Sequence, residues 1–219
     1  MTALLPQEDY DNNERRCQMY ESQLHGVGGE PYLKYLMEDR GLSLETIKHF
    51  RLGAVVNPDP QDHKFQYRIC IPHMNLRGVS VLRFRAAPGQ SGPKYLQPTG
   101  SRISVYNVVQ LSEPLDYVAA CEGEMDAMTL TQCGYPAVGF PGASTWRDHH
   151  AYLFDGYQRV FVLGDGDDAG EEFASKVARH VPNPRVITLP DNQDVNGLYV
   201  EQGIEAIHRL LGIKDGAKA

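Results

Sequence analysis

The order of apolar and polar positions divides the chain into an irregular first part and a regularly alternating second part. From residue 115 onward, short apolar runs alternate with amphipathic stretches, which predicts strands separated by helices. The runs are LDYVAACEG, PAVGFPG, QRVFVLGDGD and PRVITLPD. Strands that alternate with helices form parallel sheets joined by right-handed crossovers. We therefore predict an α/β domain over residues 114–219, with a four-stranded parallel sheet and flanking helices.

Residues 29–113 carry a pattern that predicts a smaller α+β subdomain. Two short helices are expected first, and the second begins at Ser43, whose hydroxyl suits a helix N-cap. YRICIPH and GVSVLRFRA are rich in β-branched and aromatic residues and predict two antiparallel strands. Arg83 and Arg85 alternate with apolar residues in the second strand, so both are expected on one face. Residues 1–28 are predicted to form a polar helical appendage.

Charge is distributed unevenly along the chain. The net charge of −7 argues by itself against a nucleic-acid partner. Residues 61–105, however, carry 7 basic and 1 acidic side chains, whereas residues 106–219 carry 8 basic and 17 acidic ones. A basic segment can bind phosphates while a carboxylate cluster holds cations. A solvated basic face without a ligand is the alternative interpretation.

Membrane and disulfide-rich classes are not indicated by the sequence. No apolar run approaches the roughly 18 residues that a bilayer span requires, and the N-terminal stretch does not resemble a secretion signal. A cytoplasmic location is therefore expected. The four cysteines show no CxxC or CxxH spacing, which argues against a zinc ribbon or a disulfide framework.

Acidic residues stand at the carboxyl ends of three predicted parallel strands. Glu122 ends the first strand, Asp165 and Asp167 end the third, and Asp194 follows the fourth. Ligands of open α/β sheets bind outside these strand ends, and a hard divalent cation offsets the repulsion between clustered carboxylates. Any one of these acids could instead cap a helix, and Asp126 in a first helical turn could be a dipole partner. The set as a whole predicts a metal site.

Two of these acidic motifs resemble those of a known domain. CEGEMDAMTL followed by VLGDGDDAG resembles the Toprim domain, which carries Glu-Gly after its first strand and DxDxxG after its third. YLMEDRGLSLETIKHFRLG is similar to the helical lead-in of DnaG-type primase cores, and RICIPHMNLRGVSVLRFR with PKYLQP resembles their basic subdomain. EGEMD and QDVN are similar to motifs in the primase portion of phage-type primase–helicases. The resemblance covers residues 30–210.

The resemblance implies roles for individual residues. The metal-binding acids would be Glu122, Asp165 and Asp167, joined by Asp194 and by Asp126 as a further acid of the active centre. Asn196 stands where cellular primases tend to have a carboxylate, which puts its metal role in doubt. The residues expected to face template or nucleotide are Arg68, Arg83, Arg85, Lys94 of a KYLN-like motif, and Arg102. Lys94 is also expected to be catalytic, together with Glu122, Asp126, Asp165 and Asp167.

The activity implied by the resemblance is that of a DNA-directed RNA polymerase of the primase type. It would join NTPs into short RNA primers on single-stranded DNA with two Mg²⁺ or Mn²⁺ ions. A replicative helicase and a template-reading zinc module would be supplied in trans, since the chain has neither a GxxxxGK[ST] loop nor a cysteine cluster. The location would be the host cytoplasm if a phage encodes the chain.

Two other functions are compatible with the same acids. A Toprim-type nuclease would use water in place of a sugar hydroxyl, although the primase-like lead-in disfavours it. A non-catalytic module could bind single-stranded DNA or dock a helicase while retaining a metal site. A topoisomerase is disfavoured, because 219 residues leave no room for a separate domain that carries a nucleophilic tyrosine.

Overall fold

The computed structural model of the chain describes residues 5–113, 115–142 and 145–212. The chain divides into two compact units, Met1–Ile103 and Ser104–Ala219, hereafter unit 1 and unit 2. Among the described residues, no helix is both long enough and apolar enough to cross a bilayer.

Unit 1 combines short helices with an antiparallel sheet. Its helices are α1 (Gln7–Leu24), α2 (Glu30–Lys34), a π-helix (Tyr35–Asp39) that continues α2, α3 (Leu44–His49) and a 3-10 helix (Pro60–Phe65). Its strands pair in chain order and are β1 (Gly53–Ala54), β2 (Arg68–Asn75), β3 (Gly78–Ala86) and β4 (Tyr95–Leu96). The expected strand pair is confirmed as β2 and β3, and Ser43 caps α3 by accepting the Thr46 N–H at 3.1 Å.

Helix α1 packs into unit 1, in contrast to the appendage expected from its polar sequence. Cys17 and Tyr20 belong to the same buried cluster as Phe84 on β3. The helix also buries Arg16, which forms a salt bridge with Asp62 at 2.7 Å. Its inward face is therefore lined by aromatic rings and one neutralised ion pair, which an apolar periodicity does not reveal.

Unit 2 is an α/β fold with a parallel sheet, as predicted. Its strands are β5 (Tyr117–Cys121), β6 (Ala137–Gly139), β7 (Arg159–Leu163) and β8 (Pro184–Ile187). Its helices are α4 (Glu124–Gln132), α5 (Asp168–Ala178), α6 (Val195–Gln202), α7 (Ile204–Leu211) and the 3-10 helices Val108–Ser112 and Asp148–Phe154. All three strand pairings are parallel, in the order β6-β5-β7-β8.

Two helical predictions for unit 2 differ from the structure. The stretch STWRDHHAYLF was expected to be one α-helix, but its described part forms the 3-10 helix Asp148–Phe154, and Ser144 lies outside the described residues. The terminal helix expected over residues 198–211 is two helices, because Gly203 adopts φ +75° between them.

The strand order places a ligand crevice at the centre of the sheet. Strands β5 and β7 are neighbours, although β6 lies between them in the sequence. The chain leaves β5 towards one edge and leaves β7 towards the other, so the direction of winding reverses between these two strands. Ligands of open α/β sheets bind outside the carboxyl ends of the strands at such a point.

Candidate metal and phosphate sites

Glu122 and Asp165 meet at the carboxyl ends of β5 and β7. The Glu122 Oε2 atom accepts a hydrogen bond from the backbone N–H of Asp165 at 3.3 Å. Glu122 is 9% exposed, and its pKa is raised by burial and by the nearby Asp167. The two central strands therefore bring their acidic ends together, as the sequence predicted.

Asp165 is the electrostatic centre of the acidic cluster. Its pKa is raised to about 8, first by burial and then by the negative charges of Asp126, Glu122, Asp194 and Asp167, in that order. All four other acids predicted from the sequence thus act on this carboxyl. A carboxyl so placed loses its proton readily only when a cation compensates the charge.

Asp167 and Asp194 also organise the helices that follow them. Asp167 Oδ1 accepts the Gly170 N–H at 2.8 Å and caps α5, and Asp194 Oδ1 accepts the Gly197 N–H at 2.6 Å and caps α6. The helix-capping alternative is therefore realised for both residues. It does not exclude a metal role, because an ionised carboxylate has about four acceptor positions.

Asp126 and Asn196 connect α4 to α6. The Asp126 Oδ1 atom accepts the backbone N–H of Asn196 at 3.0 Å, and the Asn196 side-chain amide donates to Thr129 Oγ1 at 2.9 Å. Asn196 is fully buried. Its amide is therefore used in packing two helices together.

Glycines allow the backbone to pass closely through the acidic cluster. A Cβ atom on Gly170 would lie 2.0 Å from the Asp165 carbonyl oxygen, and one on Gly166 would lie 1.9 Å from the Pro190 carbonyl oxygen. The Gly166 backbone also pairs with the loop after β8, donating to Gln193 O at 2.8 Å. These glycines hold the DGD turn against both α5 and this loop.

The donor set suits a divalent cation, although the carboxylates do not already enclose one. Among the described residues, no group of three or more His, Cys, Asp or Glu side chains is arranged to hold a metal ion. Carboxylate oxygens are nevertheless the ligands that Mg²⁺ and Mn²⁺ prefer. A cavity of about 700 Å³ opens beside Asp165 and Asp167 and is also lined by Asp168, Glu171 and Asp191. Side-chain rotation towards a shared ion in this space would relieve the repulsion.

A cationic cluster in unit 1 is centred on Arg85. The Tyr35 hydroxyl accepts from Arg40 Nε at 2.7 Å and from Arg85 Nε at 3.3 Å, and Arg85 Nη1 donates to the Tyr95 hydroxyl at 2.5 Å. Arg85 is 4% exposed and, within the described part of the chain, contacts phenols and no carboxylate. A nearly buried cation without an anionic neighbour is suited to a phosphate.

The sequence did not single out Arg40 or Tyr35. The π-helix brings them together, because the Arg40 N–H donates to the Tyr35 carbonyl five residues earlier at 3.1 Å. A π-helix is a one-residue widening of an α-helix and often occurs at functional sites. Apolar periodicity carries no signal for it, so only the i to i+5 spacing of Tyr35 and Arg40 could have suggested the contact.

The other predicted basic residues differ in their surroundings. The guanidinium groups of Arg83 and Arg85 lie 4.1 and 5.2 Å from the centre of the Tyr95 ring, so the expectation that they share a face is confirmed. Arg68 is buried, and its Nη1 donates to Pro93 O at 2.9 Å, which braces the loop before Lys94. The residues left exposed are Lys94 and Arg102.

Comparison with known proteins places these motifs in a family. Residues 119–199 match the Toprim-like family. The chain is 41% identical over 148 residues to the Gene 57 protein of Mycobacterium phage D29, covering 64% of this chain and 97% of that protein. It is 25% identical to a DNA primase of Pasteurella multocida, covering 92% of this chain and 42% of that primase. The chain thus spans about two fifths of that bacterial primase.

Solved structures agree with this assignment. The DnaG primase catalytic domain bound to ssDNA superposes with a TM-score of 0.75 at 25% identity, covering 94% of this chain and 77% of that one. The primase fragment of the bacteriophage T7 primase–helicase superposes with a TM-score of 0.61 at 20% identity, covering 79% and 72%, which shows a shared fold. The chain therefore belongs to the Toprim-domain DNA primases of the DnaG type.

Proposed function

We propose that this chain is the catalytic core of a primase that joins NTPs into short RNA primers on single-stranded DNA. The observation that carries the proposal is the convergence of Glu122 with Asp165, on which three further carboxylates also act. Clustered carboxylates repel one another, and bound divalent cations offset this repulsion and can in turn hold a triphosphate.

Glu122, Asp165 and Asp167 would hold the divalent ions, with Asp194 as a further ligand. When bound, Mg²⁺ or Mn²⁺ would lower the pKa of an attacking 3′-hydroxyl and neutralise the charge on the triphosphate. Asp126 accepts a backbone N–H from α6, so its proposed part is to keep the start of α4, next to Glu122, in place.

The basic residues of unit 1 would hold phosphates by charge. Arg85 supplies a fixed guanidinium, and Arg40 reaches the same phenol oxygen from the π-helix. Lys94 and Arg102 are exposed and free to follow a flexible strand. Contacts of this kind fix position without reading bases. Template choice would therefore depend on a zinc module, and access to template on a replicative helicase.

Primer synthesis by the full chain tests the proposal. Mixed-sequence single-stranded DNA, labelled NTPs and Mg²⁺ or Mn²⁺ should yield labelled oligoribonucleotides. Asp165→Asn and Asp167→Asn should each lower the rate by at least about 100-fold, because loss of a metal ligand removes several kcal/mol of transition-state stabilisation. Glu172→Gln, which removes an exposed carboxylate on α5, is the matched control and should retain the wild-type rate.

Other outcomes would replace the proposal. Wild-type rates in both aspartate variants would remove these acids from the chemistry. Shortening of the DNA strand without NTPs would identify a nuclease. Binding of Mg²⁺ and DNA without either reaction, with a helicase and a zinc module present, would identify a non-catalytic module.

A further inference from the structure

Tyr67, immediately before β2, has a backbone conformation that its side chain disfavours. Its φ is +66°, in the left-handed region that glycine and asparagine adopt readily and bulky residues rarely do. Asparagine occupies three of the other four such positions among the described non-glycine residues. Tyrosine is thus an unfavourable choice for this position on conformational grounds.

The surrounding hydrogen bonds fix this conformation. The Tyr67 N–H donates to the Val55 carbonyl at 2.7 Å, and the carbonyl of Arg68 accepts the Val55 N–H at 2.9 Å. On the other side, the carbonyl of Gln66 accepts from the Gln90 side chain at 3.3 Å. A strained residue persists where its neighbours determine its conformation in this way, and such residues concentrate at functional sites.

The Tyr67 side chain gains little from the fold in return. It is 54% exposed, and within the described residues its ring makes no aromatic contact and its hydroxyl no hydrogen bond. Tyr32 on α2 is a half-buried neighbour, whose pKa is raised by burial and then by Tyr67. The exposed Tyr67 ring is therefore not held in place by packing.

The chain segment that carries Tyr67 is basic. Tyr67 lies within the segment 61–105, which has 7 basic side chains and 1 acidic one. Exposed aromatic rings that alternate with cations are the usual means of binding unpaired strands, because the rings stack on bases while the cations follow the phosphates.

We propose that Tyr67 is a stacking platform for an unpaired base of single-stranded DNA. This inference rests on the proposed function, to which it adds a contact with a base rather than with phosphate. The platform discriminates single-stranded from paired template, because a base in a duplex does not offer its face. It adds no sequence preference, since every base has such a face.

Asparagine at position 67 separates a binding role from a structural one. Tyr67→Asn should raise the melting temperature, because asparagine tolerates the left-handed conformation, yet weaken oligo(dT) binding by about 5- to 100-fold, the range for loss of one stacked base. Binding of an abasic strand of the same length should not change. Tyr67→Phe should bind like wild type, and Tyr152→Asn, which removes a tyrosine 77% exposed in unit 2, is the control.

The two hypotheses fail differently. If the wild-type chain binds neither oligo(dT) nor the abasic strand, both the proposed primer synthesis on single-stranded DNA and the stacking platform are contradicted. If wild type binds oligo(dT) and Tyr67→Asn binds it equally well, only the stacking platform is contradicted, and the proposed primer synthesis is unaffected. A variant that melts lower and loses affinity for both strands alike would make Tyr67 a packing residue and also overturn the inference.

Discussion

The Glu122 carboxylate accepts the backbone N–H of Asp165 at 3.3 Å, which joins the carboxyl ends of the two central strands of unit 2. The contact connects residues 43 positions apart. It orients one oxygen of Glu122 towards the DGD turn, while the charge of Asp165 stays uncompensated. That charge determines how divalent ions and pH should act on the folded chain.

Divalent ions should stabilise the folded chain. At an ion concentration about 100 times the dissociation constant, stabilisation by one bound ion is about 2.7 kcal/mol. The melting temperature in Mg²⁺ or Mn²⁺ should therefore exceed that in EDTA by several degrees, and Asp165→Asn should abolish the increase. Glu205→Gln, which changes an exposed acid on α7, should preserve it. An equal increase in the Asp165 variant would place the ion elsewhere.

Without divalent ions, Asp165→Asn should stabilise the chain above neutral pH. The pKa of Asp165 in the folded chain is about 8, above the value of about 3.9 in an unfolded chain. The folded state therefore binds this proton more tightly, so the contribution of the Asp165 carboxyl to stability is fully present below about pH 4 and is lost as pH rises through about 8.

Thermal melts in EDTA between pH 5 and 8.5 measure this effect. The variant should melt about 2 °C or more above wild type at the alkaline end, and the difference should shrink towards pH 5. A variant that melts below wild type throughout would mean that the Asp165 carboxylate is satisfied in the ion-free fold.

The fully buried ion pair of α1 should contribute far more to stability than the neighbouring pair, in which the arginine is exposed. Arg16→Ala leaves Asp62 buried without its cation and should cost about 3–5 kcal/mol. Arg15→Ala removes the cation that pairs with Asp59. Because the Arg15 side chain is 57% exposed and its charge is screened by water, the loss should cost less than about 1 kcal/mol.

Urea unfolding followed by circular dichroism measures both costs. The single tryptophan, Trp146, lies in unit 2 and provides a separate signal for that unit. Equal costs for the two arginine variants would mean that α1 does not depend on its buried pair.

Gly170→Ala should destabilise unit 2 by at least about 2 kcal/mol. The added Cβ would lie 2.0 Å from the Asp165 carbonyl oxygen, so α5 must move away from the DGD turn. Fluorescence of Trp146 during urea unfolding should report the loss, and Ala169→Ser, at an exposed neighbouring position, should leave it unchanged. Wild-type stability in the glycine variant would show that α5 moves freely.

The parallel sheet and its acidic edge could be predicted because both follow from local patterns. Each strand of unit 2 is a short apolar run. Because ligands bind at the carboxyl ends of such strands, Glu122, Asp165 and Asp194 could be predicted to share one site. The resemblance to Toprim primases further predicted that Lys94 and the arginines of β3 face template or nucleotide. None of this required knowledge of which side chains are buried.

Long-range burial could not be predicted from the same patterns. Arg16 and Arg85 are charged residues in the interior, and sequence alone does not reveal the partners that make this possible. Arg68 was expected to face nucleic acid, whereas its guanidinium holds a loop carbonyl. The π-helix and the strained Tyr67 depend on backbone geometry, which residue type indicates only weakly.

The position of β5 and β7 in the middle of the sheet affects how unit 2 opens. Each is hydrogen-bonded on both sides, whereas β6 and β8 each have one paired strand in the sheet. Amide hydrogens of the central pair should therefore exchange with solvent last, through unfolding of the whole unit rather than local fraying. The chain would then keep its acidic edge assembled for as long as unit 2 remains folded.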